Sequence, residues 1–166
     1  PYSGRPLIGD VDGDGSPSIV ISSLANDGAT SHDQVHIFDG RGKLLRTLNV
    51  SQAGGDGLAL ADIDGDGIPE IVKVAGTGLY IWHGDGSLLP GWPRDLGGQS
   101  GGEPAIGDID GDGRDDLAIF RPSAGSWYIN KSGGGTSAFG WGVAGDFPLP
   151  GDYDGDGKAD LVVFRP

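Results

Sequence analysis

Apolar residues in this chain come in short runs, and almost every run is closed by glycine, proline or a carboxylate. Ile19–Ile21, Ile71–Val72, Leu117–Phe120 and Leu161–Phe164 are built from branched and aromatic residues that suit a pleated surface. No run recurs with a helical period, so no helix is expected. Each run follows the same polar loop, which starts at Asp10, Asp62, Asp108 and Asp152, at spacings of 52, 46 and 44. Self-similarity of this kind marks a repeat architecture. A second landmark, Phe38–Leu45, matches Trp82–Leu89 at an offset of 44. The first repeat therefore carries about eight extra residues, and the polar stretch 24–33 is read as an inserted loop.

Each repeat is expected to hold four short antiparallel strands separated by glycine-rich turns. They are predicted near 6–9, 19–22, 34–38 and 43–48, then 57–61, 70–75, 78–82 and 86–89, then 104–107, 117–120, 126–130 and 136–141. A fourth repeat supplies two strands before Pro166. The expected fold class is all-β, with four-stranded blades of a β-propeller in a single repeat region. The approximate blades are 1–50, 51–96, 97–143 and the partial 144–166, with Gly97–Gly102 the one linker-like stretch. Closure of a propeller takes about four to eight blades, and these make about three and a half. The ring is expected to be completed by a longer chain, by other copies, or by stacking into a fibre, because free strand edges invite self-association.

Composition sharpens this picture. Thirty-four glycines and 11 prolines in 166 residues exclude a helical bundle. The net charge of −13 is concentrated: 15 of the 24 acids occupy the alternating positions of the four loops. The total reads as unfavourable to a nucleic-acid partner, and none is expected, although the acidity is localised in the loops and leaves roughly +2 elsewhere. There is no cysteine, and no apolar stretch approaches the roughly 20 residues needed to span a bilayer as a helix. The chain opens on Pro1 and lacks methionine, so it reads as a piece of something longer.

The loops carry the chemistry. Carboxylates at positions 1, 3, 5 and 9 are hard donors spaced to converge on one cation, and glycines at 4 and 6 permit the tight backbone that turns them inward. The sets are Asp62/Asp64/Asp66/Glu70, Asp108/Asp110/Asp112/Asp116 and Asp152/Asp154/Asp156/Asp160. The first loop has Asp10, Asp12 and Asp14 but Ser18 at position 9, and is expected to bind most weakly. Oxygen-only donors favour Ca²⁺, with up to four ions, while the lack of His or Cys argues against zinc. An EF-hand would need Glu at position 12, where Ile21, Lys73, Ile119 and Val163 stand, and flanking helices as well.

The pattern Asp-x-Asp-Gly-Asp-Gly-x-x-Asp-hydrophobic, inside a four-stranded repeat, resembles the FG-GAP/VCBS repeats of integrin α-chain-type β-propellers. The resemblance covers essentially the whole chain. It implies a structural Ca²⁺ between the first two strands of each blade, held by those side chains and the carbonyls of Ser16, Ile68, Arg114 and Lys158. It also implies a secreted or cell-surface protein.

A non-enzymatic extracellular module for adhesion, protein–protein interaction or assembly is therefore expected, with a protein or glycan ligand. The alternatives are a lectin-like propeller, using Trp82, Trp92, Trp127, Trp141, Tyr80 and Tyr128, or a non-catalytic part of a secreted polysaccharide-degrading enzyme. His32, His36 and His83 read as isolated, so no catalytic residue is expected. Asn49 and Asn130 open glycosylation sequons.

Overall fold

A computed structural model of the chain describes residues 5–26, 28, 30–54, 57–95 and 103–166. The predicted linker 97–102 lies outside the described residues. Among the described residues there is no helix. The chain divides into two compact units, one of Pro1–Leu60 with Ile68–Gly101, the other of Ala61–Gly67 with Gly102–Pro166.

In the first unit, β1 (Leu7–Gly9), β2 (Ser18–Asn26), β3 (Ser31–Phe38) and β4 (Leu44–Asn49) form one antiparallel sheet in sequence order. A second is formed by β5 (Leu58–Ala61), β6 (Glu70–Ala75), β7 (Gly78–Trp82) and β8 (Arg94–Asp95). Every residue of β6 and β7 is buried. A strand covered on both faces needs no polar alternation, which is why Ile71–Val72 and Leu79–Trp82 read as continuous apolar runs. Val20, Val35 and Ile37 of one sheet pack with Ile71, Tyr80 and Trp82 of the other.

Two expectations fail here. The stretch 24–33 is not an inserted loop. Leu24, Ala25 and Asn26 pair with Asp33, His32 and Ser31, so the extra residues lengthen the β2–β3 hairpin symmetrically. Residues 86–89 are not a strand either. Only Leu88 bridges to Trp82, and β8 forms later, beyond Pro90 and Pro93, which cannot donate to a ladder.

The second unit holds β9 (Glu103–Gly107), β10 (Asp116–Arg121), β11 (Ser126–Asn130) and β12 (Thr136–Gly140) in one antiparallel sheet, and β13 (Phe147–Pro148) paired with β14 (Val163–Phe164). Its core is Ala105, Ala118, Phe120, Trp127 and Ile129, with Leu161 and Val163 packed against it. The Phe120 and Trp127 rings lie 5.0 Å apart, and the indole N–H donates to the Trp141 carbonyl at 3.0 Å. That bond satisfies the one polar atom of a fully buried indole.

Two ion pairs set testable stabilities. In the first unit Lys73 of β6 reaches Asp33 of β3 at 3.1 Å, both side chains buried. Removing one partner leaves an uncompensated buried charge, at a cost of about 3–5 kcal/mol. Lys73→Met is expected to lose that much in chemical denaturation, and Lys73→Met with Asp33→Leu to recover most of it. In the second unit Asp146 accepts two bonds from Arg165, both at 2.8 Å, and one from the Val143 N–H. The Arg165 guanidinium holds the Asp146 carboxyl below its usual 3.8. A depressed carboxylate adds stability above 3.8 that is lost as pH falls through the lower folded value. Asp146→Asn should therefore destabilise at pH 7, and its gap to wild type should close as pH falls below 3.8 in a denaturation series.

Candidate metal centres

The four acidic loops fold alike because their side chains complete their own turns. The position-1 carboxylate accepts the N–H of position 6 in each: Gly15 on Asp10, Gly67 on Asp62, Gly113 on Asp108 and Gly157 on Asp152, at 2.8–3.0 Å. Its other oxygen takes the N–H of position 4 in three loops, from Gly65, Gly111 and Gly155, and of Asp14 at position 5 in the first. Asp14, Asp112 and Asp156 at position 5 accept from position 7. Both loop glycines have positive φ throughout, as Gly111 (83°) and Gly113 (87°) illustrate, so L-residues would be strained there.

This wiring gathers carboxylate oxygens to within 4.8 Å of one another. The groups are Asp10/Asp12/Asp14, Asp62/Asp64/Asp66, Asp108/Asp110/Asp116 and Asp152/Asp154/Asp160. At such separations each like-charged pair costs on the order of 1–4 kcal/mol, depending on screening. In the third loop Asp110 Oδ2 pairs with Lys131 at 3.2 Å, while Oδ1 is buried and accepts no hydrogen bond. A buried oxygen without a donor, on a carboxylate grouped with two others, fits a hard cation.

The Asp108 carboxyl sits below its ordinary value. Desolvation pushes it up, but the N–H groups of Gly113, Gly111 and Asp112 and the Lys158 charge outweigh it. Asp116 is wholly buried and tied four ways. Its Oδ2 accepts from the backbone of Ile109 and Asp110, and its Oδ1 from the N–H and hydroxyl of Ser132. Position 9 therefore clamps the loop to the β11–β12 turn besides facing the carboxylate group. Asp160 does part of this in the fourth loop, accepting from the Tyr153 N–H at 3.0 Å.

Successive loops in the second unit are strapped together. The position-1 carbonyl of one accepts the position-8 N–H of the next, Asp115 on Asp62 at 3.3 Å and Ala159 on Asp108 at 2.7 Å. The position-7 side chain lies over position 4 of the loop before: Arg114 over Gly65, Lys158 over Gly111. Lys158 also donates to the Asp110 carbonyl at 3.2 Å. In the first unit Ile68 approaches Gly13 in the same manner.

Asp112 and Asp156 stand outside these groups, whereas Glu70 falls in a further one with His83. Asp112 and Asp156 point to backbone N–H groups, and Asp112 also meets the Ser132 hydroxyl. Glu70 is buried on β6 and pairs with the His83 ring at 3.3 Å. Ser18 is buried at the start of β2. Sequence reasoning missed Asp115, whose carboxylate accepts from the Asp62 N–H at 3.2 Å and is pushed up by burial. Its signal was an extra acid beside position 9. The histidines are not all isolated. His36 bridges Ser23 (2.8 Å) and Thr47 (3.0 Å) across β2, β3 and β4, and His83 has Glu70. The Ser23–His36 pair has a hydroxyl where a catalytic triad has a carboxylate, and reads as a polar ladder across the sheet. Of the aromatics, Tyr80, Trp82 and Trp127 are core, Tyr128 lies under Arg121, and Trp141 is exposed.

The repeat frame of these loops and strands matches the model for the FG-GAP-like repeat over residues 10–72 and 108–163. The chain belongs to the FG-GAP-like repeat family. Among solved structures it is similar to the Vibrio cholerae biofilm matrix protein Bap1, with a TM-score of 0.54 and 27% identity. That match covers 96% of this chain and 23% of the Bap1 chain, so this chain spans about a quarter of that relative's length. A search of curated proteins returned no match.

Asp116 gives this family's position 9 a measurable second role. Asp116→Ala strips an acceptor from several half-buried donors, each worth up to about 1–3 kcal/mol. It should lose at least about 2 kcal/mol of unfolding free energy even in chelator, where ligation contributes nothing.

Proposed function

We propose that the chain is a calcium-stapled β-propeller segment that serves adhesion or assembly outside the cell and has no catalysis of its own. The observation that carries this reading is the buried Asp110 Oδ1, without a hydrogen-bond donor, in an acidic loop repeated in register. Ca²⁺ accepts six to eight oxygens in adaptable geometry, which suits carboxylates and carbonyls on a tight turn better than the strict octahedron of Mg²⁺. The side chains of each group would bind it together with the carbonyls of Ser16, Ile68, Arg114 and Lys158. The site at Asp10 binds most weakly, because neutral Ser18 replaces the position-9 carboxylate.

Four-stranded sheets in sequence order support blades, with β13–β14 as a partial one. Family membership and the likeness to a biofilm matrix protein support a structural or adhesive module in an extracellular matrix. Protein or glycan partners fit that setting. Among the described residues no helix is long and apolar enough to cross a membrane. Exposed Trp141 favours a glycan-contacting variant of this reading, although the burial of Trp82 and Trp127 removes two of its stacking platforms.

At millimolar Ca²⁺, sites of about 10⁻⁴ M affinity would each add roughly 1.4 kcal/mol. Adding a chelator should lower the melting temperature markedly, and a chelator-insensitive melt would overturn the calcium reading. Asp154→Asn keeps the acceptor for the Asp156 N–H but removes one charge. It should melt no lower than wild type in chelator and clearly lower in calcium.

A further inference from the structure

One turn recurs after the third strand of each four-stranded repeat. Asp39, His83 and Lys131 take its first position, directly after β3, β7 and β11. Each donates its N–H to the carbonyl four residues on, of Lys43, Ser87 and Gly135. Each also accepts, at its own carbonyl, the N–H of Gly42, Gly86 or Gly134, and all six bonds measure 2.9–3.0 Å. The backbone is thus the same three times, while its first side chain is an acid, an imidazole and an ammonium in turn.

Those side chains act differently. The Asp39 carboxylate accepts the N–H groups of Arg41 and Lys43 and so closes its own turn. The His83 ring goes to Glu70 on β6. Lys131 reaches the acidic loop of its own repeat, with Nζ 3.2 Å from Asp110 Oδ2 and both side chains partly buried. Its turn is pressed on that loop. A Cβ at Gly133 would stand 2.9 Å from Asp112 Oδ2, and Ser132 donates to Asp112 and Asp116. A fixed backbone therefore delivers the ammonium to the carboxylate group. Lys158 also approaches this loop, but it donates to the Asp110 carbonyl.

Asp110 is claimed from two sides. Oδ2 holds the ammonium, while Oδ1 is buried and accepts no hydrogen bond. A Ca²⁺ bound on Oδ1 would lie within about 8 Å of Nζ, inside the screening length of about 10 Å at moderate salt. We propose that Lys131 is a built-in counter-cation of the third loop. It neutralises part of the Asp108/Asp110/Asp116 charge while the loop is empty, and it repels Ca²⁺ as the ion arrives. This rests on the calcium reading above and adds that one residue outside the loop sets the affinity of its site.

The test follows two loops in one sample of the 166-residue chain, by NMR of amides that donate to position-1 aspartates. Gly113 reports the third loop and Gly15 the first. Calcium chloride is titrated into wild type, Lys131→Met and Lys131→Arg. Lys131→Met keeps the apolar stem and drops the charge, so its Gly113 midpoint should fall about tenfold while Gly15 stays put. Lys131→Arg should titrate as wild type does. In chelator, the Gly113 amide of Lys131→Met should exchange at least about threefold faster than in wild type. A Gly113 midpoint equal in all three proteins, or equal exchange in chelator, would overturn the inference and leave the calcium reading standing. No calcium-induced shift at either glycine in any of the proteins would overturn the calcium reading itself, and the inference with it.

Discussion

A carboxylate that is asked to do two things organises this molecule. The position-1 aspartate of each loop accepts the backbone N–H groups that close the turn, with both oxygens engaged. The same turn brings further carboxylates to within 4.8 Å. Backbone hydrogen bonding thus drives together groups that repel, and the loop holds a store of electrostatic cost that a divalent cation would relieve. The positive-φ glycines are the other half of that arrangement, since no other residue adopts the turn without strain.

The loops also align their neighbours. In the second unit, the carbonyl of position 1 is free of its own turn and accepts the N–H of position 8 in the following loop. Lys158 and Arg114 lie over the loop before their own, so a cation on one repeat faces the acids of another. Where position 8 is Pro69 there is no N–H to give, and position 7 is the apolar Ile68, which packs on Gly13 instead. The same two positions serve either by hydrogen bond and charge or by apolar contact.

The loops were legible in the sequence because their chemistry is fixed by spacing: alternate carboxylates and paired glycines admit few other backbones. The strands were legible where runs such as Leu117–Phe120 are buried on both faces. What the sequence hid was pairing. Residues 24–33 look like a loop because they are polar, yet a hairpin arm that extends beyond the core needs no apolar face to keep its ladder. Residues 86–89 look like a strand because they carry two leucines, yet the chain reaches its fourth strand only after Pro93. Asp112 and Asp115 show the same gap at the site. Their residue types point equally to ligation and to capping, and only the direction of the nearby N–H groups decides.

Asp116 joins these levels. Its carboxylate faces the loop's oxygens on one side and holds Ser132, in the β11–β12 turn, on the other. The strand that leads into that turn, β11, carries Trp127, and Trp127 packs on the buried Phe120. One carboxylate thus ties the acidic loop to the hairpin that covers Phe120. The fourth repeat forms the same loop, with Asp160 accepting from the Tyr153 N–H. The turn chemistry thus completes itself within nine residues, whereas the apolar ladder of the third repeat draws on strands from Ala105 to Ile129.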